Sequence, residues 1–176
     1  MKARIATVWL DGCSGCHMSI LDMDQRLLEL AARIELVYSP LVDAKEFPEN
    51  VDVTIVEGSI SNEENLEQIR RIRERTKLLV SLGDCAVTGN VPSMRNAFPM
   101  DQILEAAYRG NNNANAKIQF EGVPSLLKVV QPVHSAVKVD VFIPGCPPSA
   151  DVIHYAITEL LDGRIPDLNS LTRFGK

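Results

Sequence analysis

Four cysteines are the side chains of this chain best suited to redox or metal chemistry. Cys13 and Cys16 form a Cys-x-x-Cys pair in the stretch DGCSGCHMS. Cys85, in GDCAVTG, and Cys146, in PGCPPSAD, stand alone. A Cys-x-x-Cys pair serves as a redox disulfide, as half of a zinc site, or as two ligands of an iron–sulfur cluster. Taken by itself, the pair leaves all three chemistries open.

Glycines accompany every cysteine along the chain. They are Gly12, Gly15, Gly83 and Gly145. Because glycine has no Cβ, it lets the backbone approach a bulky inorganic core and offer N–H groups to the sulfides. Cys16 and Cys146 also stand directly before predicted helices, whose N-terminal dipoles favour thiolate over thiol. This local pattern suits an anionic site.

The elements that must position these cysteines follow from the hydrophobic pattern. β-branched apolar runs predict strands over 4–10, 34–39, 51–58, 77–83 and 138–145. Helical periodicity and cap residues predict helices over 17–32, 62–75, 99–109 and 149–162. Wholly apolar strands alternating with helices are typical of a parallel sheet that is covered on both faces. We therefore predict an α/β fold, a flavodoxin-like doubly wound five-stranded parallel sheet with helices on both faces.

All four cysteines follow the carboxyl ends of predicted strands. Cys13 and Cys16 follow the first strand, Cys85 the fourth and Cys146 the fifth. In an open parallel sheet those loops converge at the edge where such folds bind ligands, so we expect four thiols to meet there. Four-cysteine zinc sites usually combine two Cys-x-x-Cys knuckles, and a thioredoxin-like pair would leave two cysteines unused. The positions favour a 4Fe–4S cluster over zinc, a disulfide switch or four unrelated buried cysteines.

Length, charge and hydropathy narrow the class of protein. The 176 residues predict one domain over 1–176, with a long excursion at 110–137 and a C-terminal strap at 164–176. The net charge of -5, without a basic cluster, argues against a nucleic-acid partner. The apolar stretches are shorter than the roughly 20 residues of a membrane helix, and no signal peptide precedes the first predicted strand. We expect a cytoplasmic chain, in which thiols stay reduced.

The motifs DGCSGCHMS, VEGSI, GDCAVTG and PGCPPSAD, in this order, resemble the small subunit of nickel–iron hydrogenases. The resemblance covers essentially the whole chain and is greatest to the short cytoplasmic form of NAD-reducing soluble hydrogenases. It implies that Cys13, Cys16, Cys85 and Cys146 ligate one proximal 4Fe–4S cluster. It also implies a large subunit with the nickel–iron centre, and diaphorase subunits with flavin and further iron–sulfur clusters. The implied function is electron transfer between these partners during the reversible oxidation of hydrogen.

Two features distinguish the chain from the larger proteins that it resembles. No cysteine- and histidine-rich segment follows Cys146, so we expect one cluster only. The related cluster-bearing subunit of respiratory NADH dehydrogenase normally has adjacent cysteines at the first position, whereas Ser14 and Gly15 separate them here. This spacing favours the hydrogenase branch. The alternatives are a related hydrogenase or NADH-dehydrogenase-like complex with another acceptor, an interaction module stabilised by a four-cysteine zinc site, and a thiol–disulfide oxidoreductase.

Glu57, in VEGSI, is the candidate catalytic residue. The resemblance suggests a carboxylate at the subunit boundary that relays protons or hydrogen-bonds near the cluster; the alternative is a cap of the next helix or a solvated loop residue. His17 is predicted to begin a helix and touch the partner subunit, and Asp84 to form a turn. Because flavodoxin-like edges bind FMN in other proteins, FMN stays open here, although the cysteine pair fills the phosphate loop and no residue is assigned to it.

The sequence also predicts the packing of three apolar side chains near the cysteine pair. Trp9, on the first predicted strand, is predicted to lie in the core. Met18 and Met23 are predicted to pack on the large subunit, because apolar side chains suit an obligate interface.

Overall fold

The computed structural model describes residues 2–108 and 122–175. Its strands are β1 (Ala3–Trp9), β2 (Ile34–Tyr38), β3 (Val51–Glu57), β4 (Ile60–Asn62), β5 (Thr76–Leu82), β6 (Leu126–Gln131) and β7 (Val141–Ile143). Its helices are α1 (Gly15–Leu21), α2 (Arg26–Arg33), α3 (Glu63–Arg75), α4 (Gly83–Thr88), α5 (Met100–Tyr108) and α6 (Ala150–Leu161). Short 3₁₀ turns cover Pro92–Ala97 and Val133–Ser135.

The main sheet has the spatial order β2-β1-β3-β5-β7, and each neighbouring pair is parallel. Successive residues along a strand belong to two different hydrophobic clusters, because their side chains point to opposite faces of the sheet. Ile5 belongs to a cluster that includes residues of α2 and α6, whereas the next residue, Ala6, belongs to one that includes residues of α3 and α4. Helices therefore cover both faces, and the predicted doubly wound α/β fold is confirmed.

Two helix starts follow the local sequence closely. Asn62 caps α3, because its Oδ1 accepts a hydrogen bond from the backbone N–H of Asn65 at 2.7 Å. Ser149 caps α6 in the same way, with the N–H of Val152 as donor. The predicted strand over 138–145 is shorter in the structure, where β7 covers Val141–Ile143; directly before it, the side chain of Asp140 accepts a hydrogen bond from the N–H of Leu79.

The helix predicted over 17–32 is two helices. The chain turns after α1, and Asp24 has a positive φ of 50°, so α2 starts in a new direction. The turn places Met23 in the core, 2% exposed. The prediction that Met23 packs on a partner subunit is therefore wrong, because Met23 lies in the turn between α1 and α2 and packs in the hydrophobic core.

The segment predicted as an excursion at 110–137 lies partly outside the described residues. Within its described part, β6 pairs antiparallel with β4, which the sequence pattern did not predict. Asn96 fastens this pair, since its side chain exchanges two hydrogen bonds of 2.8 Å with the backbone of Val130. Among the helices of 2–108 and 122–175, none has the length and apolar character needed to cross a bilayer.

Candidate functional site

The structure brings the loops of all four cysteines to the carboxyl edge of the sheet. Cys13 and Cys16 follow β1, with Cys16 in the first turn of α1. Cys85 lies in the first turn of α4, directly after β5, and Cys146 follows β7. Each of the other three cysteines is close enough to raise the pKa of Cys16 through its charge. The four cysteine loops therefore lie at one edge of the sheet, as the strand order predicted.

The thiols influence one another's protonation. Burial, followed by the charges of Cys13 and Cys146, raises the pKa of Cys85 to about 11. Burial also raises the pKa of Cys16 far above its ordinary value, and the charges of Glu57 and the other cysteines add to this effect. For Cys16, where the sequence suggested that a helix start would favour thiolate, burial and like charge instead raise the pKa. Four thiolates at this edge require positive charge from a bound metal or cluster.

The cysteines differ in exposure. Cys13 and Cys146 are exposed at the rim, and Cys16 and Cys85 are half-buried. The side-chain amide of Asn90 lies 3.5 Å from the Sγ of Cys146 and donates a hydrogen bond to it. In the described parts of the chain, no group of three or more His, Cys, Asp or Glu side chains is arranged to hold a single metal ion. Two of the four thiols are therefore open to contact from outside the chain, and two are partly shielded from water.

Two glycines shape the backbone around the sulfurs. Gly83 has a φ of +80°, and a Cβ there would overlap the Sγ of Cys16. Gly145 has a φ of +139°, and a Cβ there would lie 2.6 Å from the backbone of Pro148. Both positions combine a conformation that favours glycine with a close approach. The glycines noted beside Cys85 and Cys146 are thus required by the packing of their loops.

Glu57 is buried, and its partner is His17. The carboxylate Oε2 lies 2.6 Å from His17 Nδ1 and accepts a hydrogen bond of 2.7 Å from the His17 backbone N–H. Ser14, the residue before α1, has a left-handed backbone and forms no side-chain cap, so Glu57 satisfies an N–H at the start of this helix. Glu57 is therefore neither solvated nor a cap of the helix that follows it; it fastens the helix that begins beside Cys16.

Neighbouring residues complete the surroundings of this pair. Trp9 packs edge-to-face on the His17 ring, with centroids 5.4 Å apart. Trp9 is 41% exposed, so its predicted place in the core is wrong: it ends β1, where the sheet edge opens. Met18 is 58% exposed. His17 itself is buried, not exposed for a partner, and its Nε2 has no hydrogen-bond partner in the described chain.

Asp84 is the site residue whose role the sequence did not reveal. The pattern predicts a turn residue, but the side chain is buried and bonded to backbone N–H groups of two distant segments. Its position directly before Cys85 was the only signal in the sequence. No periodicity indicates a partner 61 or 91 positions away.

The doubly wound fold matches that of a chain of a solved nickel–iron hydrogenase. The chain belongs to the family described as NADH ubiquinone oxidoreductase, 20 Kd subunit, whose model matches residues 13–160. It is 42% identical to the NAD-reducing hydrogenase HoxS subunit delta of Cupriavidus necator, over 98% of this chain and 86% of that protein. The resemblance to hydrogenase small subunits is thereby confirmed.

A solved structure and a more distant relative extend the comparison. A chain of the NAD+-reducing [NiFe]-hydrogenase in the H2-reduced state superposes with a TM-score of 0.95 and 39% identity, over 99% of both chains. An iron-sulfur subunit of the F420-non-reducing hydrogenase of Archaeoglobus profundus is 27% identical. The match covers 100% of this chain and 61% of that relative, so the chain spans about three fifths of its length.

Proposed function

We propose that this chain is the electron-transfer small subunit of an NAD-reducing nickel–iron hydrogenase. In this proposal Cys13, Cys16, Cys85 and Cys146 ligate one 4Fe–4S cluster. The single observation that carries the proposal is the gathering of these four thiols at one sheet edge, where each of the other three raises the pKa of Cys16. The names of the hydrogenase and iron–sulfur relatives support it.

The residues present fit an iron–sulfur cluster. Thiolates are its usual ligands, and three separate loops supply them here. When bound, such a cluster accepts and donates one electron at a time. The half-buried Cys16 and Cys85 remove that side of the site from water, and Asn90 donates a hydrogen bond to Cys146. Burial and hydrogen bonds to sulfur are the means by which a protein sets a cluster potential.

Glu57 is proposed to hold a proton beside the site. Its Oε2 and His17 Nδ1 are 2.6 Å apart and buried, a geometry in which one proton is shared between two partners. His17 Nε2 has no hydrogen-bond partner in the described chain, and the His17 residue is among those that line an apolar cavity of about 310 Å³. A water held at Nε2 would extend the pair into a relay.

The proposed partners follow from the resemblance of the cysteine motifs to hydrogenase small subunits. They are a large subunit with the nickel–iron centre, and diaphorase subunits with flavin and further iron–sulfur clusters, in the cytoplasm. The exposed side chains of Trp9 and Met18 beside the site suit contact with a large subunit. FMN remains unassigned in this chain. A related complex with a different electron acceptor is a second candidate, because one relative is named for an F420-non-reducing hydrogenase without reference to NAD.

The experiment that tests the proposal is iron and acid-labile sulfide analysis of protein purified without oxygen. We expect about four irons and four sulfides per chain and an electron paramagnetic resonance signal after reduction. Zinc without sulfide would overturn the proposal in favour of an interaction module. Diaphorase subunits that co-purify with the chain would support NAD as the acceptor, and their replacement by other electron carriers would support the second candidate.

A further inference from the structure

Asp84 is a buried carboxylate that the proposed electron transfer does not use. It is 2% exposed, and in the described part of the chain its side chain bonds only to backbone N–H groups. Oδ1 accepts from Gly145 at 2.7 Å, and Oδ2 accepts from Gly175 at 2.7 Å. A buried carboxylate is costly unless it is well hydrogen-bonded, so these contacts must hold it in place.

One of these contacts joins two cysteine loops. The N–H of Asp84 donates to the carbonyl of Gly145 at 2.9 Å, while Gly145 returns its N–H to Oδ1. This reciprocal pair lies directly before Cys85 in one loop and directly before Cys146 in the other. Asp84 therefore sets the separation of these two thiols without touching either reacting atom.

The second contact reaches the C-terminal segment, residues 164–175. This segment places Leu168 in the hydrophobic core and bonds the hydroxyl of Thr172 to the carbonyl of Pro144. Pro144 lies two residues before Cys146, and the Gly175 N–H ends on Asp84. Thr172 therefore donates to a carbonyl just before Cys146, and Gly175 donates to the side chain just before Cys85.

We propose that Asp84 couples docking of the C-terminal segment to occupation of the four-cysteine site. The inference rests on the proposed function, since it takes Cys85 and Cys146 as cluster ligands. Ligand binding at the cysteines orders their loops, and the same loops carry the acceptors for the segment. Coupling of this kind is reciprocal: an occupied site holds the segment closed, and a docked segment slows loss of the cluster. Asp84 is a positioning residue in this scheme.

The test uses the full chain in its complex, with hydrogen–deuterium exchange of the 168–175 amides and iron release to a chelator as readouts. In the loaded wild type we expect slow exchange, which becomes about tenfold faster after anaerobic removal of iron. In Asp84→Asn the segment exchanges quickly in both states, and iron is released about tenfold faster. A tenfold change corresponds to about 1.4 kcal/mol, close to the range of one hydrogen bond to a charged group.

A further readout separates positioning from simple loosening. Asp84→Asn removes a buried negative charge near the site, so the cluster becomes easier to reduce and its midpoint potential shifts to a more positive value. Leu168→Ala loosens the segment without changing charge; we expect faster iron release with no such shift of potential. Glu74→Gln, an exposed residue in the last turn of α3, is the charge-matched control, and we expect all readouts to stay at wild-type values.

The outcomes distinguish the two proposals. A wild-type protein without iron and sulfide overturns the proposed function. A loaded wild type whose segment exchanges at the same rate with and without iron overturns the coupling alone. If Asp84→Asn does not fold, the coupling is tested by Leu168→Ala and by the wild-type exchange rates with and without iron. Faster iron release from Leu168→Ala supports the coupling, and an unchanged release rate overturns it.

Discussion

Glu57 Oε2 and His17 Nδ1 lie 2.6 Å apart in the interior, although 40 positions separate the two residues in the chain. The same oxygen accepts the His17 backbone N–H at 2.7 Å. One carboxylate therefore joins the end of β3 to the first turn of α1, which also carries Cys16. The position of the loop that carries Cys16 therefore depends on a buried carboxylate.

Replacing Glu57 tests this link. Glu57→Gln keeps the shape and one acceptor oxygen, so we expect the free energy of unfolding to fall by about 1–3 kcal/mol, measured by denaturant unfolding. Glu57→Ala leaves His17 without a buried partner and should cost about 3–5 kcal/mol. Glu64→Gln, an exposed residue of α3, is the control and should be close to wild type. Equal stability of Glu57→Ala and wild type would contradict the structure here.

The relay proposal needs a separate measurement on the same residue. If Glu57 and His17 hold a transferred proton, Glu57→Gln lowers hydrogen-dependent NAD reduction by the assembled complex and changes its solvent deuterium isotope effect. Iron content serves as the control, because a variant with its full cluster isolates the proton step. A variant with full activity and an unchanged isotope effect would leave Glu57 with a structural role only.

The four cysteines should be equivalent in cluster assembly. We expect Cys146→Ser to lower iron and sulfide content as strongly as Cys13→Ser, because each removes one of four ligands. A two-cysteine redox switch would depend on Cys13 and Cys16 but not on Cys146. Metal analysis and visible absorption of anaerobically purified variants provide the measurement, and full iron content in Cys146→Ser would count against the proposed ligand set.

Gly83→Ala separates backbone strain from contact with a thiol. The backbone of residue 83 has a positive φ, and the added Cβ would overlap Cys16 Sγ. We therefore expect loss of stability together with loss of the cluster. Gly163→Ala is the matched control: its φ is +74°, and nothing lies within 4 Å of the added Cβ. The control should lose only about 1–2 kcal/mol of unfolding free energy, the cost of a left-handed non-glycine residue. Full cluster content in Gly83→Ala would show that the Cys16 contact is unimportant.

Asp140 makes stability depend on pH. Burial alone would raise its pKa, but hydrogen bonds from the Leu79 N–H and Arg73, with the Arg73 charge, hold the pKa below its usual value. This stabilisation is fully present above the unfolded pKa of about 3.9 and is lost as pH falls through the lower folded value. In Asp140→Asn we expect weaker stability at neutral pH and a flatter profile of unfolding free energy in acid. Asp43→Asn, a change of an exposed carboxylate in the loop after β2, should retain the wild-type profile.

Several elements could be predicted because their signals are local. Asn62 and Ser149 cap helices within three residues of themselves, and apolar runs mark the five strands of the parallel sheet. The break between α1 and α2 was not predicted, since residues 17–32 carry an apolar stripe across it. That turn follows from the backbone of Asp24 and the burial of Met23, which depend on packing against the sheet.

The sequence alone determined the order of the five parallel strands along the chain, and therefore that all four cysteines reach one sheet edge, because parallel strands bring their following loops together. Only the tertiary structure decided the partners of the buried charges: Glu57 with His17, and Asp84 with Gly145 and Gly175. Periodicity reports which face of an element is buried. The hydrogen-bond partner of a buried carboxylate depends on which distant backbone lies within about 3 Å, and that is set by packing.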